Sequence, residues 1–280
     1  MKGNAWASKV GFILAAAGSA IGLGAIWKFP YTTGTNGGGA FLLLFLVFTL
    51  LLGLPVLIAE FLIGRTSGKT ALRAFSALGH KKFTFIGVLG VIACFLLLSF
   101  YSVIGGWVLI YTILGFTGRL TTMDSGALGE LFGTISASPV YVISGQLIFL
   151  ALTCWIVLRG VQSGIEKMSK IMMPLLFVCF IVLVVRSLTL DGAMEGVKFF
   201  IQPDFSVLNR TSVLSALGQA FFSLSLGVSA MLTYASYMKE RGEINRSAAW
   251  IVTMNVAVSL LAGFAIFPAV FASGLDPAEG

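Results

Sequence analysis

The chain has 280 residues, 58% of them hydrophobic and 10% charged, with a mean hydropathy of +0.98. A soluble domain carries about 25% charged residues, so a water-soluble globule is excluded and the partner such a composition requires is a lipid bilayer. The net charge of +7 does not indicate a nucleic-acid partner, because the cations are spread over short loops between apolar runs.

Uncharged runs cover 10–27, 29–59, 83–118, 131–158, 171–185, 211–238 and 247–275. A helix needs about 20 residues to cross the hydrocarbon layer, so the pattern predicts seven spans, with the 171–185 run extended into its flanks. The first, about 10–30, holds Gly18, Gly22 and Gly24 and ends at Pro30, and is predicted to break near its middle. No short apolar region with an A-x-A-like cleavage site follows the start, so this segment is read as a retained span. The turn 33–39 leads to a second span, about 40–63, with Pro55 and the acid Glu60. A basic loop, 64–82, precedes a third span at about 84–115, long enough to require tilt. Residues 117–138 read as a loop rich in Gly, Ser and Thr. The fourth span is about 140–158 and the fifth about 168–189, joined by a short basic loop. Residues 191–212 read as an amphipathic surface helix carrying Phe199, Phe200 and Phe205. The sixth span, about 213–238, is predicted to break at 224–228, and the seventh runs about 247–272.

Charge sets the expected orientation. Lys2, Lys9, Arg65, Lys69, Arg73, Lys81, Lys82, Arg159, Lys167, Lys170, Lys239, Arg241 and Arg246 fall in the N-terminal tail and alternate loops, whereas Asp124, Glu130, Asp191, Glu195, Asp204, Asp276 and Glu279 fall on the other side. The positive-inside rule then puts the N-terminus in the cytoplasm of a cell whose inner (plasma) membrane holds the chain. Cys94, Cys154 and Cys179 are mid-span and read as free packing thiols. Gly64-Arg-Thr-Ser-Gly68-Lys69-Thr70 resembles a phosphate loop but is one residue short and follows no strand.

The two breaks carry the chemistry. Opening a helix in lipid frees backbone groups that must be satisfied, at several kcal/mol each. The carbonyls of Gly18, Ala20 and Ile21 suit a cation, and the amides of Leu23 and Gly24 suit a carboxylate. The alternative is helix packing through the small-x-x-x-small pair Gly18 and Gly22. Ser223, Ser225 and Ser229 surround Gly227 in the sixth span, either as ligands or bonded back to their own helix. Asn255 offers a hard oxygen to an ion such as Na⁺, or an interhelical hydrogen bond. Glu60 reads as the only acid inside a span and as a brace for the breaks, with a proton relay as the sharper alternative. Tyr101 is a packing aromatic or a hydroxyl partner for a carboxylate. Lys28 snorkels or gates the outer end of the first span. Gly164 and Pro174 bracket the start of the fifth span, as an ordinary kinked start or an unwinding point.

These stretches are recognisable together. GSAIGLGAIWKFPY (18–31), TNGGGAFLL (35–43), AEFLIGR (59–65), GIEKMSKIMMP (164–174), PDFSVL (203–208) and GQAFFSLSLGVSAMLTYASY (218–237) resemble the neurotransmitter:sodium symporter family, most of all its bacterial amino-acid transporters. The resemblance implies an all-α polytopic membrane protein with broken helices and two inverted five-helix repeats. Residues 1–280 would form one membrane domain. Within it, 1–190 is the first repeat, and 191–280 is a surface segment plus the first two helices of the second. The chain would then end after the seventh span, without the helices that complete the second sodium site and both gates, and transport is expected only of a longer version.

Residue by residue, the resemblance implies sodium-coupled symport of an amino acid by alternating access, with no covalent chemistry and so no enzyme. The substrate carboxylate would meet the Leu23 and Gly24 amides and the Tyr101 hydroxyl. The amine would meet carbonyls near Ala20 and Phe222, with the Ser225 region. Leu97, Ile104, Phe222 and Val228 would line the side-chain pocket, and Val228, smaller than the aromatic of some relatives, admits a hydrophobic or aromatic substrate. One sodium would use Ala20, Ser223 and Asn255, and a second Gly18 and Ile21. Ala25 stands where many relatives carry a sodium-ligating Asn. Gln219, Ser223, Asn255 and Ser259 match the chloride site of animal relatives, but its tyrosine is Phe45, so a chloride requirement is not expected. Gly3 replaces the gating Arg, with Lys2 one position off. The sequence holds no signal for an oligomeric state.

Overall fold

The structure, a computed structural model, describes residues 5–238 and 243–278. The expectations for Lys2, Gly3, Lys239, Arg241 and Glu279 fall outside them. Among the described residues the chain is helical, and its one β-bridge, Gly38 to Pro203, is isolated.

The first span is two helices, α1 (Lys9–Ala20) and α2 (Phe29–Thr35), joined through 21–23 and the π-turn Gly24–Lys28, and bent by 52°. Pro30 comes directly after the π-turn, and the helix runs on through it into α2. The second span is α3 (Gly39–Phe48), a π-turn Thr49–Gly53 and α4 (Leu54–Ser67). Pro55 follows that π-turn, which takes up the bond its nitrogen cannot donate. A short helix α5 (Ala71–Ala77) precedes α6 (Thr84–Phe116), the third span. Next come α7 (Ser125–Ala137) and α8 (Pro139–Leu158). A π-turn, Val161–Glu166, runs into α9 (Lys167–Leu188), followed by the surface helix α10 (Ala193–Ile201). The sixth span divides into α11 (Arg210–Ser223) and α12 (Ala230–Ser236), and α13 (Ile244–Ala272) is the seventh.

Among the described residues five helices are long and apolar enough to cross a membrane, six if the bent pair at the start counts as one span. The predicted span 213–238 is not among them as a continuous helix. Ser225, Gly227 and Ser229 all have positive φ (54°, 78° and 60°). Three left-handed residues in five cannot be accommodated in a right-handed helix. The break therefore extends over 224–229, one residue beyond the prediction.

Three other expectations are corrected. The stretch 117–138 is not a plain loop, because Asp124 caps α7 by accepting from the Ala127 N–H at 2.8 Å. Ile135 of that helix is buried, and Phe132 meets the Trp107 ring at 5.4 Å. The basic stretch 64–82 includes the end of α4 and all of α5, so the phosphate-loop-like residues are a helix C-terminus closed by left-handed Gly68. The fifth span starts at Val161 rather than about 168, since the π-turn carries the helix back toward Gly160. Gly164 lies in that turn and Pro174 inside α9, and the stretch stays helical through both. As a result Glu60 is not the only acid within a span, because Glu166 is also inside one.

The core lies around α13, which packs on α1, α4, α9 and α10. In its most apolar window 39% of residues are buried inside the protein, against 6% for α8 and 11% for α6. Those two outer helices pack on each other where Gly106 meets the backbone of Gly145, and otherwise present Phe95, Leu96, Ile113 and Leu147 outward. An apolar surface on that scale requires lipid.

Candidate functional site

At the first break Ile21 leaves the helical region (φ −84°, ψ 74°), and the Gly22 N–H turns back to the Ala20 carbonyl at 3.0 Å. The Ala25 and Ile26 N–H groups then both reach the Gly22 carbonyl. The regular helical spacing of hydrogen bonds is thus interrupted, and the Ser19 and Ala20 carbonyls before the break accept from side chains of other segments.

Two side chains meet carbonyls before the break and a third meets one just after it. Asn255 of α13, fully buried, donates through Nδ2 to the Ala20 carbonyl at 3.3 Å and to the Ser223 carbonyl at 2.9 Å. Its Oδ1 accepts from the Ser223 hydroxyl at 2.8 Å. Ser225, in the second break, donates its hydroxyl to the Ser19 carbonyl at 3.1 Å. Gln219 donates to the Gly24 carbonyl at 2.7 Å. The two breaks are therefore tied together, with Ala20, Ser223 and Asn255 in one buried hydrogen-bonded cluster. Among the described residues, Gln219 Oε1 and the Ser259 hydroxyl, one turn from Asn255, are buried without a hydrogen-bond partner.

Above this cluster Gly24 lies against the Phe222 ring, where a Cβ would come within 3.0 Å. The Tyr101 ring meets Phe222 edge-on at 6.3 Å, and Lys28 Nζ stands 4.1 Å from the Phe222 ring centre. Leu97, Tyr101 and Ile104 share one face of α6 through their i, i+4, i+7 spacing. Ile104 on that face is buried. One turn earlier Cys94 donates its thiol to the Val228 carbonyl at 2.9 Å, and Val228 lines a cavity of about 470 Å³ with Cys94, Trp6 and Tyr234. Gly18 and Ile21 line a separate, mostly apolar cavity of about 560 Å³ between α1 and α9, beside Met173 and Leu176.

Glu60 reaches the second break, where its Oε1 accepts from the Gly227 N–H at 2.7 Å. Its Oε2 is buried and, among the described residues, unpartnered. Gly164 packs on the Ile156 carbonyl of α8, and the adjacent Ile165 lines the cavities beside both breaks; Pro174 follows Met173 within α9. Two groups escaped the sequence reading. The Ser19 carbonyl has no sequence signal, since any residue supplies one. Glu166 did have a signal, a lysine four residues on in GIEKMSK, and its carboxylate bonds Lys170 and the start of the chain.

Comparisons with known proteins identify the family and the fold. Residues 3–127 and 135–273 match the sodium:neurotransmitter symporter family. A Bacillus subtilis protein described as an uncharacterized sodium-dependent transporter, YhdH, is 57% identical over 98% of this chain and 61% of its own length. A similarly described protein of Methanocaldococcus jannaschii is 39% identical over 95% of this chain and 56% of its own length. The crystal structure of MhsT in complex with L-phenylalanine is 46% identical and superposes with a TM-score of 0.94, covering 99% of this chain and 63% of that one. The chain thus spans about three-fifths of the relatives it matches. Its fold over that portion is the all-α, broken-helix transporter fold. This multi-pass membrane chain belongs to the sodium:neurotransmitter symporter family, a family of transporters rather than enzymes.

Proposed function

We propose that this chain supplies the ion and substrate half-site of a sodium-coupled amino-acid symporter. The observation that carries the reading is the Asn255 amide, which joins the Ala20 carbonyl of one break to Ser223 of the other. The Ala20 and Ser223 carbonyls converge on the Asn255 amide in a buried place, and with Oδ1 turned toward them the three residues would supply part of the oxygen shell a hard cation takes. Sodium would replace the longest of the Asn255 contacts, that to Ala20. The second ion would use the Gly18 and Ile21 carbonyls. Ala25 supplies no side-chain oxygen to the first ion, so the shell there is completed by the substrate carboxylate, which couples the two solutes directly.

The carboxylate would be held by the Leu23 and Gly24 amides and the Tyr101 hydroxyl. The amine would face the Ala20 and Phe222 carbonyls near Ser225. Leu97, Ile104 and Phe222 would line an apolar side-chain pocket, with Val228 reaching it only if the second break shifts, so a hydrophobic or aromatic amino acid is the substrate proposed, as L-phenylalanine is the ligand in the MhsT structure. Residues 1–190 form the first five-helix repeat and 191–280 open the second. The N-terminus faces the cytoplasm across the inner (plasma) membrane. The test is uptake of labelled phenylalanine and leucine into proteoliposomes by the chain extended through the rest of its reading frame. A sodium gradient drives uptake and choline does not; equal uptake in both refutes the coupling.

A further inference from the structure

Three consecutive residues of the second break are each held by a different contact. Glu60 of α4 accepts the Gly227 N–H at 2.7 Å, the Cys94 thiol of α6 donates to the Val228 carbonyl at 2.9 Å, and Ser229 is seated on α6 at Gly90. A Cβ at Gly90 would collide with the Ser229 hydroxyl and come within 2.8 Å of the Ser229 Cβ. The hydroxyl can turn aside, but the Cβ moves only with the backbone. Gly90 and Cys94 are one turn apart, so both contacts come from one face of α6. That face runs on through Leu97, Tyr101 and Ile104 at spacings of three, four and three. Both flanks of the turn are seated in their own right. Gly64 of α4 packs on the Leu232 carbonyl of α12, and Gly87 of α6 packs on the Ala71 carbonyl of α5. Gly227 and Ser229 have positive φ, so the turn between these flanks is the irregular piece that yields when either is crowded. Val228, at its centre, lines the inner cavity with Cys94, Val161 and Tyr234, and among the described residues none of Leu97, Tyr101, Ile104 and Phe222 borders that cavity.

We infer that the Gly90–Cys94 turn of α6 is a saddle that positions the second break, and that it sets substrate size by keeping residue 228 out of the pocket. The notch at Gly90 is the stronger of its two constraints. A thiol is a weak donor, whereas a carbon added in a packed place forces its neighbour to move. Displacing 227–229 releases the Val228 carbonyl from Cys94. The residue is then free to turn toward Leu97, one turn further along the same face of α6. Gly90 and Cys94 are thus positioning residues that act through the break. The size selection rests on the amino-acid reading above; the saddle itself does not.

The experiment begins with peptide-resolved deuterium exchange in 224–236 of the 280-residue chain in detergent micelles. Gly90→Ala raises that exchange about tenfold, the scale of an overpacked contact, and no more than about twofold when Ser229→Gly is already present. Cys94→Val raises it about threefold, the scale of one hydrogen bond, and Cys94→Ser, which keeps a donor, does not. Gly218→Ala, where nothing lies near the added carbon, leaves it unchanged. A Gly90→Ala effect that is absent, or equally large with and without Ser229→Gly, overturns the saddle. If Gly90→Ala does not fold, recovery of folded protein on adding Ser229→Gly reads out the same contact, and no recovery overturns it. In proteoliposomes of the chain extended through the rest of its reading frame, Gly90→Ala lowers phenylalanine uptake relative to leucine about tenfold, the scale of one misplaced methyl group in a pocket, and adding Val228→Ala restores the ratio. An unchanged ratio, or a shift that Val228→Ala does not reverse, overturns the size selection. If a sodium gradient drives uptake of neither amino acid in the wild type, the amino-acid reading and the size selection fail together, while exchange in 224–236 still decides the saddle.

Discussion

Replacing Asn255 by alanine removes the group that joins the breaks. Three buried hydrogen bonds are lost, to Ala20, to the Ser223 carbonyl and from the Ser223 hydroxyl. Interhelical hydrogen bonds in membranes average about 0.6 kcal/mol each, which sets a floor of about 2 kcal/mol. Leaving partners unsatisfied in the core raises the cost toward about 4 kcal/mol. The more informative quantity is the sodium increment. Stabilisation by a ligand that binds only the folded state is about 1.4 kcal/mol at tenfold excess over its dissociation constant. Equilibrium unfolding in mixed micelles, in sodium and in choline, measures both terms. Asn255→Ala loses the stability and the sodium increment together. The control is Ser102→Ala, which removes the Gln146 to Ser102 bond between α6 and α8, 2.9 Å long and away from the breaks. It loses a comparable amount per bond and keeps the increment. An intact sodium increment in Asn255→Ala, or its loss in Ser102→Ala, refutes the assignment of the cluster.

Glu60→Gln weakens a charge-assisted bond to the Gly227 N–H and lowers stability by about 1–2 kcal/mol. If Glu60 is a brace, sodium-driven uptake by the extended chain survives; uptake that becomes insensitive to a pH gradient and loses its rate points to a relay. Ser225 holds φ at 54° and also bonds Ser19, so Ser225→Gly relieves strain while Ser225→Ala does not. Both lose the bond, and the glycine variant unfolds roughly 1 kcal/mol later than the alanine one; equal stabilities would contradict the strain. Phe45 has no hydroxyl, and the Ser223 hydroxyl is committed to Asn255, so exchanging chloride for gluconate leaves the sodium increment unchanged. Glu243 lies outside the spans and accepts from Lys9 at 2.6 Å. The Lys9 hydrogen bond and charge, then Arg246, hold its carboxyl below the usual range. A lowered value makes the contact stabilising above the ordinary carboxylate pKa and lost as the pH falls through the lowered one. Glu243→Gln therefore shows a smaller drop in melting temperature on acidification than the wild type.

How much of this was legible depends on which physical signal each feature leaves. The spans were legible because hydropathy is a sum over about 20 residues, and one substitution hardly moves it. The first break was legible because Gly18, Gly22 and Gly24 cluster in an apolar run, although none of them takes a positive φ and Gly18 and Gly24 also give way to Met173 and Phe222. The second was underestimated at its end. Serine has no general signal for positive φ, so Ser229 looked like the first residue of a helix rather than the last of a turn. α7 was missed because its Gly, Ser and Thr content reads as loop, although Asp124 is a capping residue and Leu128, Leu131 and Ile135 have helical spacing. The start of the fifth span was misplaced because Lys167 and Lys170 interrupt the apolar run. A π-turn with a buried carboxylate keeps that polar stretch helical.

The same reasoning explains why the site residues were easier to name than to join. Asn255 and Ser223 stand out as polar residues in apolar spans, but their partners are carbonyls, which every residue possesses. Only the fold shows that the amide of Asn255 selects Ala20 and Ser223. A transporter that binds its ions with backbone oxygens hides half its ligands from any reading of side chains. What it cannot hide is the need to break a helix to free them, and here the breaks coincide with a glycine cluster in the first span and with Gly227 and strained serines in the sixth. The first signature of the site is therefore conformational, and the side chains that complete it have to be sought where the broken ends point.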